Sequence, residues 1–445
     1  MKEIKKKCDM NKMNVRRGNP FSEGEILHWN NRYDTMVKSF EDFMERVSDV
    51  SVKLGDIPMI GILLSGGGYR SMICSLAMMV ALDHLGLLDM VSHISSLSGS
   101  AWFLSNWYAH DKSLDELKKH FKKCMEKHFF NNTSDILHTA QTFMERKKYG
   151  QPITIVDMWG STLGNVLFDG IKDSQNLKIS SLREKALSGK YPYPIFTAIT
   201  PTKGTDHDRY KWLEFNPFEM GGSGLYVDIE YSNSVWNKGD LQEICSEPAL
   251  ESMLGIFGSA FSVDYNDIIR LYGTNMYRRG ILKYFKAIVE KFELQDFRIA
   301  KGKLLNSFYG LDDNDKPILD VFDAGISFNS PILPLLERGM DIIIHCDAGD
   351  TNPEDRFHNF QLMLDYVKTK GFDLSHIDPS LMDFKKCYIF THQTAPSIIY
   401  IPNIVEYSTF KFQYSPEEFD HLFDSMYNTI INLQPEIEKT IYEYL

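Results

Sequence analysis

The chain lacks several features that would each assign it to a class. Its 445 residues include only six cysteines, Cys8, Cys74, Cys124, Cys245, Cys346 and Cys387, and no two form a C-x-x-C pair. Neither a zinc site nor a disulfide framework follows from such a scatter. No apolar run approaches the roughly eighteen residues of a membrane-spanning helix. The opening stretch MKEIKKKCDMNKMNVRRGNP is basic but has no apolar centre, so a secretory leader is not expected. With no glycine after the first methionine and no C-a-a-X box at the end, no lipid anchor is expected either. A net charge of −12 sets an acidic body against phosphate backbones, so nucleic acid is not an expected partner. These absences together predict a cytoplasmic protein in a reducing compartment.

The residues present are those of a globular protein, with 43% hydrophobic and 24% charged. No internal repeat or low-complexity linker interrupts the chain. The expectation is one large domain over residues 57–445, preceded by an extension and helical segment over 1–56. Apolar spacing predicts a helix within 25–56, and IPMIGILL (57–64) predicts a buried strand. MVSHISSL, DIIIHCDAG (341–349) and KKCYIFTH (385–392) predict further core strands, with helical patterns between them. Such alternation predicts an α/β fold with a central, mostly parallel or mixed sheet flanked by helices. Sites in such sheets lie at the carboxyl ends of the strands.

Three motifs fall at such ends. In LLSGGGYRS, Gly66, Gly67 and Gly68 let a ligand approach the backbone, and a helix start behind them offers N–H groups to an anion. The same turn comes close to a dinucleotide fingerprint, with Ser71 as its last small residue and Asp89 as a ribose-binding acid. It also serves as an oxyanion hole, or as a plain tight turn. In SSLSGSAW, Ser96-Leu97-Ser98-Gly99-Ser100 is a relaxed G-x-S-x-G, which needs small neighbours around a strained nucleophilic serine. In HCDAGDTNPED, Asp347 ends an apolar strand and is a candidate base, with burial expected to raise its pKa. A loop-capping aspartate is the plain alternative. A calcium loop is excluded, because the required glycine and closing glutamate are absent. His392, after a strand end, leaves a Ser-Asp-His triad open. His345 is expected to lie on the side of its strand away from Asp347.

These motifs occur in a longer order: SGGGYRSM, GLLDMVSHISSLSGSAW, GQPITIVDMWG, WLEFNPFEMGG, LGIFGSAFS, DAGISFNSPILPLLERGMDIIIHCDAG and STFKFQYSPEEFDHL. From about residue 15 to the end, the chain resembles the cytosolic (group IV) phospholipase A2 family and its fungal lysophospholipase relatives. The resemblance implies a patatin-like or lysophospholipase-like serine hydrolase with a small cap or lid, placed at about 263–320. It also implies a Ser98/Asp347 dyad, an oxyanion hole at Gly67 and Gly68, and Arg70 steadying the lipid phosphate or the developing charge. Ser96 departs from the family's first glycine. The implied activity is hydrolysis of a phospholipid or lysophospholipid ester through an acyl-serine, with no cofactor or metal and with transient contact to a membrane surface. Transacylation, a catalytically silent lipid-binding role and nucleotide binding are the alternatives. Catalytic motifs begin by residue 61, so no calcium-binding C2 domain is expected ahead of them. Two basic amphipathic stretches, LDELKKHFKKCMEKHFF and MYRRGILKYFKAIVEKF, are candidates for membrane contact, or pack on the core.

Overall fold

The structure is a computed structural model. It describes residues 14–48, 57–127, 151–204, 209–259, 301–311 and 315–445, with 137, 140, 141, 143, 144, 146 and 147. Contacts group these into two compact units, each drawn from three stretches of chain. The first takes residues 21–126, 182–197 and 324–445, and the second takes 1–20, 127–181 and 198–323.

In chain order the strands begin with β1 (Arg16–Arg17), β2 (Ile60–Leu64), β3 (Val91–Ser96) and β4 (Tyr193–Pro201). Next come β5 (Tyr210–Phe215), β6 (Glu219–Gly222), β7 (Leu225–Asp228), β8 (Val235–Asn237) and β9 (Asp240–Glu243). The last are β10 (Gly302–Leu305), β11 (Ile318–Asp323), β12 (Ile342–Asp347), β13 (Tyr388–Phe390) and β14 (Ser397–Pro402). The helices used below are α1 (Glu23–Ser48), α2 (Gly68–His84), α3 (Ser98–Ala109) and α4 (Leu114–Met125). To these are added α5 (Ile155–Leu167), α6 (Leu250–Phe257), α7 (Pro353–Thr369) and α8 (Pro416–Asn432).

The first unit carries the α/β sheet. Its strands run in the order β4-β3-β2-β12-β14-β13, parallel throughout except for β13 at the edge. Every residue of β2, β12 and β14 is buried, as strands covered on both faces must be. The core strand near the C-terminus is β14, whereas the predicted strand at 385–392 is a three-residue, half-buried edge. The run SIIYIP is the more apolar of the two, and Pro402 ends it where the ladder stops. Helix α2 is buried over almost its whole length and packs on α3 and α8. Helix α1 buries one stripe, Glu25, His28, Arg32, Met36, Phe40 and Phe43, at helical spacing. Arg32 on that stripe donates to the carbonyls of Val91 at 2.9 Å and Leu88 at 3.1 Å. Glu25 accepts from Arg338 at 2.6 and 2.9 Å and lies 3.1 Å from His93. The helix is therefore fastened to the sheet through buried charge as well as apolar contact.

The second unit is antiparallel where its pairings are described. β7 pairs with β1 and β6, β6 with β5, and β10 with β11. β4 contributes residues 193–197 to the first unit and 198–201 to the second. Helices α5 and α6 pack together here at glycines, since a Cβ on Gly160 would stand 2.1 Å from Glu251 O and one on Gly255 2.2 Å from Val156 O. Of the segment expected to be a lid (263–320), the described part holds β10 and the start of β11. The second basic stretch, MYRRGILKYFKAIVEKF, lies outside the described residues.

Candidate active site

The order of the parallel strands reverses between β2 and β12, because the chain goes from β2 outward to β3 and β4 and later from β12 outward to β14. Such a switch point opens a crevice at the strand carboxyl ends. The three motifs meet there. β2 ends at Leu64, level with Ser96 of β3 and Cys346 of β12. The glycine turn, Ser98 and Asp347 follow within a few residues of these ends.

Ser98 has φ +53°, the left-handed region in which a serine is strained. It begins α3 directly after β3 and the extended Leu97, so the backbone reverses at the serine itself. Two glycines let this corner close on the turn after β2. A Cβ on Gly99 would stand 1.9 Å from Gly68 O, and one on Gly66 would stand 2.9 Å from Ser98 Cβ. The surrounding serines are each employed. Ser100 Oγ bonds to Leu64 O at 2.9 Å, Ser95 Oγ to Pro331 O at 2.6 Å, and Ser92 Oγ to Ile60 O at 2.9 Å. Ser96 Oγ donates to Ile195 O on β4 at 3.0 Å, so the departure from the family's first glycine finds room and a partner.

The glycine turn is held on both sides. Asn329 binds Gly66 through Nδ2 to its carbonyl at 3.1 Å and Oδ1 to its N–H at 3.2 Å. Gly67 and Gly68 adopt φ +146° and +61°, and a Cβ on either would meet a carbonyl oxygen at 2.7 Å, Ala348 O or Thr409 O. Arg70 is buried against this turn, donating to Ala348 O at 2.8 Å, to Tyr407 O, and to Thr409 Oγ1 at 3.1 Å. Three of its nitrogens are thus engaged with the protein, tying the loop after β14 to the turn.

Asp347 is also buried. Its Oδ1 accepts from Gly349 N at 2.9 Å and faces Ser65 Oγ at 3.4 Å, and its Oδ2 accepts from Tyr400 at 2.6 Å. Arg356 Nε stands 3.6 Å from Oδ2. Burial alone would push this carboxyl up, as expected from sequence. The Arg356 guanidinium, His345, the Tyr400 hydroxyl and the Gly349 N–H outweigh it, and Asp347 lies below its ordinary value. The expected rise is therefore corrected to a fall. His345 requires a second correction, since residues two apart on a strand share a face. Its ring packs 5.4 Å from Tyr400, on the Asp347 side, and burial holds it neutral with a pKa of about 4.

No hydrogen bond joins Ser98 to Asp347 among the described residues; Asp347 faces Ser65, which precedes the glycine turn, and Ser98 stands against Gly66 within it. His392 is exposed, stacks on His376 at 4.6 Å, and accepts from the N–H groups of Thr394 and Ala395. Among the described residues no histidine hydrogen-bonds Asp347. The residues that sequence reasoning missed are Asn329, Arg356 and Tyr400. Only Asn329 stood inside a quoted motif, DAGISFNSPILPLLERGMDIIIHCDAG.

A family model described as the lysophospholipase catalytic domain matches residues 60–370. Human cytosolic phospholipase A2 zeta is 24% identical over 456 residues, covering 86% of this chain and 52% of that protein. The chain thus spans about half the length of this curated relative. Among solved structures, human GIVD cytosolic phospholipase A2 matches with a TM-score of 0.80 at 18% identity, covering 97% of this chain and 68% of that one. The same human protein in complex with methyl gamma-linolenyl fluorophosphonate matches with a TM-score of 0.75 at 21% identity, covering 97% and 65%. At these identities the structural likeness shows a shared fold.

Proposed function

This chain belongs to the lysophospholipase catalytic-domain family, and on that footing we propose that it hydrolyses acyl esters of phospholipids or lysophospholipids through Ser98. The observation that carries the reading is the strained backbone of Ser98 at φ +53°, closed against the Gly66–Gly68 turn. A serine is held in that region at a cost of about 1–3 kcal/mol; Asp173, Ser223 and Lys238 share it, but Ser98 alone of the four is buried with glycines closing the corner on the turn.

In the proposed reaction Asp347 takes the Ser98 proton as Oγ attacks the ester carbonyl. The N–H groups of Gly67 and Gly68 receive the developing oxyanion. The alcohol product leaves with the proton, and a water deprotonated by Asp347 then releases the fatty acid from the acyl-serine. These steps draw on side chains and backbone N–H groups alone, without calcium. Arg70 supports them by holding the Tyr407–Thr409 loop on the turn. A cytoplasmic enzyme working transiently at a membrane surface fits this substrate class.

Product analysis on phospholipid and lysophospholipid labelled separately at each acyl position tests the reading. We expect free fatty acid from the wild type, and at least a thousandfold less from folded Ser98→Ala and Asp347→Asn, on the scale of catalytic-group removal. Comparable release from Ser98→Ala would overturn it. Label transferred to an added alcohol would show transacylation by the same acyl-serine.

A further inference from the structure

The two oxygens of Asp347 have different surroundings. Oδ2 accepts the short Tyr400 hydrogen bond and faces the Arg356 guanidinium, whereas Oδ1 has one short backbone bond and one long contact to Ser65. The Ser65 hydroxyl oxygen accepts from Ala348 N at 2.7 Å, and its proton is shared between two long contacts, Asp347 Oδ1 at 3.4 Å and Gly66 O at 3.5 Å. Oδ1 therefore has no side-chain partner within 3 Å, whereas Oδ2 has Tyr400. Tyr400 is fully buried and enclosed by His345, Phe360 and Phe384 at 5.4, 5.7 and 6.1 Å, so its hydroxyl has one direction in which to point. Arg356 is likewise fixed, donating to the carbonyls of Asp350, Phe384 and Asn403 at 2.6, 2.6 and 2.7 Å.

We propose that Tyr400 is a positioning residue of this site, which occupies Oδ2 of Asp347 and fixes the carboxylate so that Oδ1 receives the Ser98 proton. The inference rests on the Ser98/Asp347 reading and adds to it the identity of the accepting oxygen. In the step concerned, the Ser98 O–H bond breaks and an Oδ1–H bond forms. Oγ bonds to the ester carbon, and the carbonyl electron pair moves to the oxygen facing Gly67 and Gly68. When the intermediate collapses, the proton passes from Oδ1 to the departing alcohol. Tyr400 keeps its own proton throughout, as its phenol, raised well above the ordinary tyrosine value by burial and then by Asp347, requires.

The test is the rate of labelling by an alkyl fluorophosphonate between pH 4 and pH 8, for the wild type and Tyr400→Phe, with melting curves at each pH as the check on folding. Wild-type labelling should persist towards pH 4, because Asp347 lies below its ordinary value. Losing one hydrogen bond to a carboxylate should move the acid limb of Tyr400→Phe upward by about one pH unit or more, with a lower plateau rate. A plateau equal to the wild type's with the same acid limb would overturn the proposal, as would a lower plateau with an unmoved limb, which marks a packing role only. If Tyr400→Phe does not fold, 3-fluorotyrosine at position 400 keeps the ring and makes the hydroxyl a stronger donor. It should slow labelling at pH 7 several-fold with unchanged melting, and an unchanged rate would overturn the proposal. Labelling that survives in Ser98→Ala would instead remove the Ser98 reading itself, whatever Tyr400 does.

Discussion

Ser98 carries a strain that the proposed reaction needs and the stability of the fold does not. Ser98→Gly removes the side chain from a left-handed position, so it should raise stability by about 1 kcal/mol while abolishing ester hydrolysis. Thermal melting alongside an activity assay checks this, and a fall in melting temperature would contradict the strained corner. Gly99→Ala should act in the opposite sense, because its Cβ would overlap Gly68 O and push the corner off the turn. At this scale much of the candidate site was legible in the sequence. Ser98, Gly67, Gly68 and Asp347 each sit among small residues or at the end of an apolar run, and such local signals survive without a structure. Tyr400 and Arg356 carry no local signal. Tyr400 reaches the site because its strand pairs beside the aspartate's, residue against His345. Arg356 arrives from the first turns of the following helix, so the pKa of Asp347 was read with burial counted and its opposing charge unseen.

Among the elements, β3 and α4 show how polar sequence is used inside and outside the core. The serines of β3 are buried yet bonded, which is why VSHISS forms a core strand despite its low hydrophobicity. Ser96→Gly would restore the family's usual residue but lose the bond to Ile195 O. A cost of about 1 kcal/mol in denaturant unfolding with activity retained is expected. A large loss of activity would show that Ser96 acts on the corner itself. Helix α4, the first of the two basic amphipathic stretches, buries Leu114, Leu117, Phe121, Cys124 and Met125. Its Lys122 pairs with Asp420 at 2.5 Å, and Lys118 stands 3.5 Å over the ring of Phe423, both on α8. Its exposed charge is thus partly spent on a neighbouring helix. Lys122→Ala should lower stability by less than about 1 kcal/mol and leave vesicle sedimentation unchanged. Helical spacing alone could not separate this packing role from a membrane face, because both need the same stripe.

For the molecule as a whole, the alternation of strand and helix was legible, while the division into two interleaved units was not, since each unit is assembled from stretches far apart in sequence. Its buried titratable groups set the pH dependence of stability. Burial lowers His28 and His345 to about 4 and also lowers His93, against about 6.5 in the unfolded chain. Between those values the unfolded chain binds more protons than the folded one, so stability falls as pH drops from about 6.5 towards 4 and is unaffected above that window. Glu25, held at about 2 by Arg338 and His93 against the opposing effect of burial, extends the loss into the carboxylate range. Melting temperatures at pH 7, 5.5 and 4.5 should decline steadily, and a flat profile would contradict the neutral buried histidines. The central claim, that Ser98 is the nucleophile, is tested most directly by intact-protein and peptide mass spectrometry after exposure to an alkyl fluorophosphonate. The account predicts a single adduct on the peptide containing Ser98, absent from Ser98→Ala; an unlabelled wild type, or an adduct on any other residue that persists in Ser98→Ala, would contradict it.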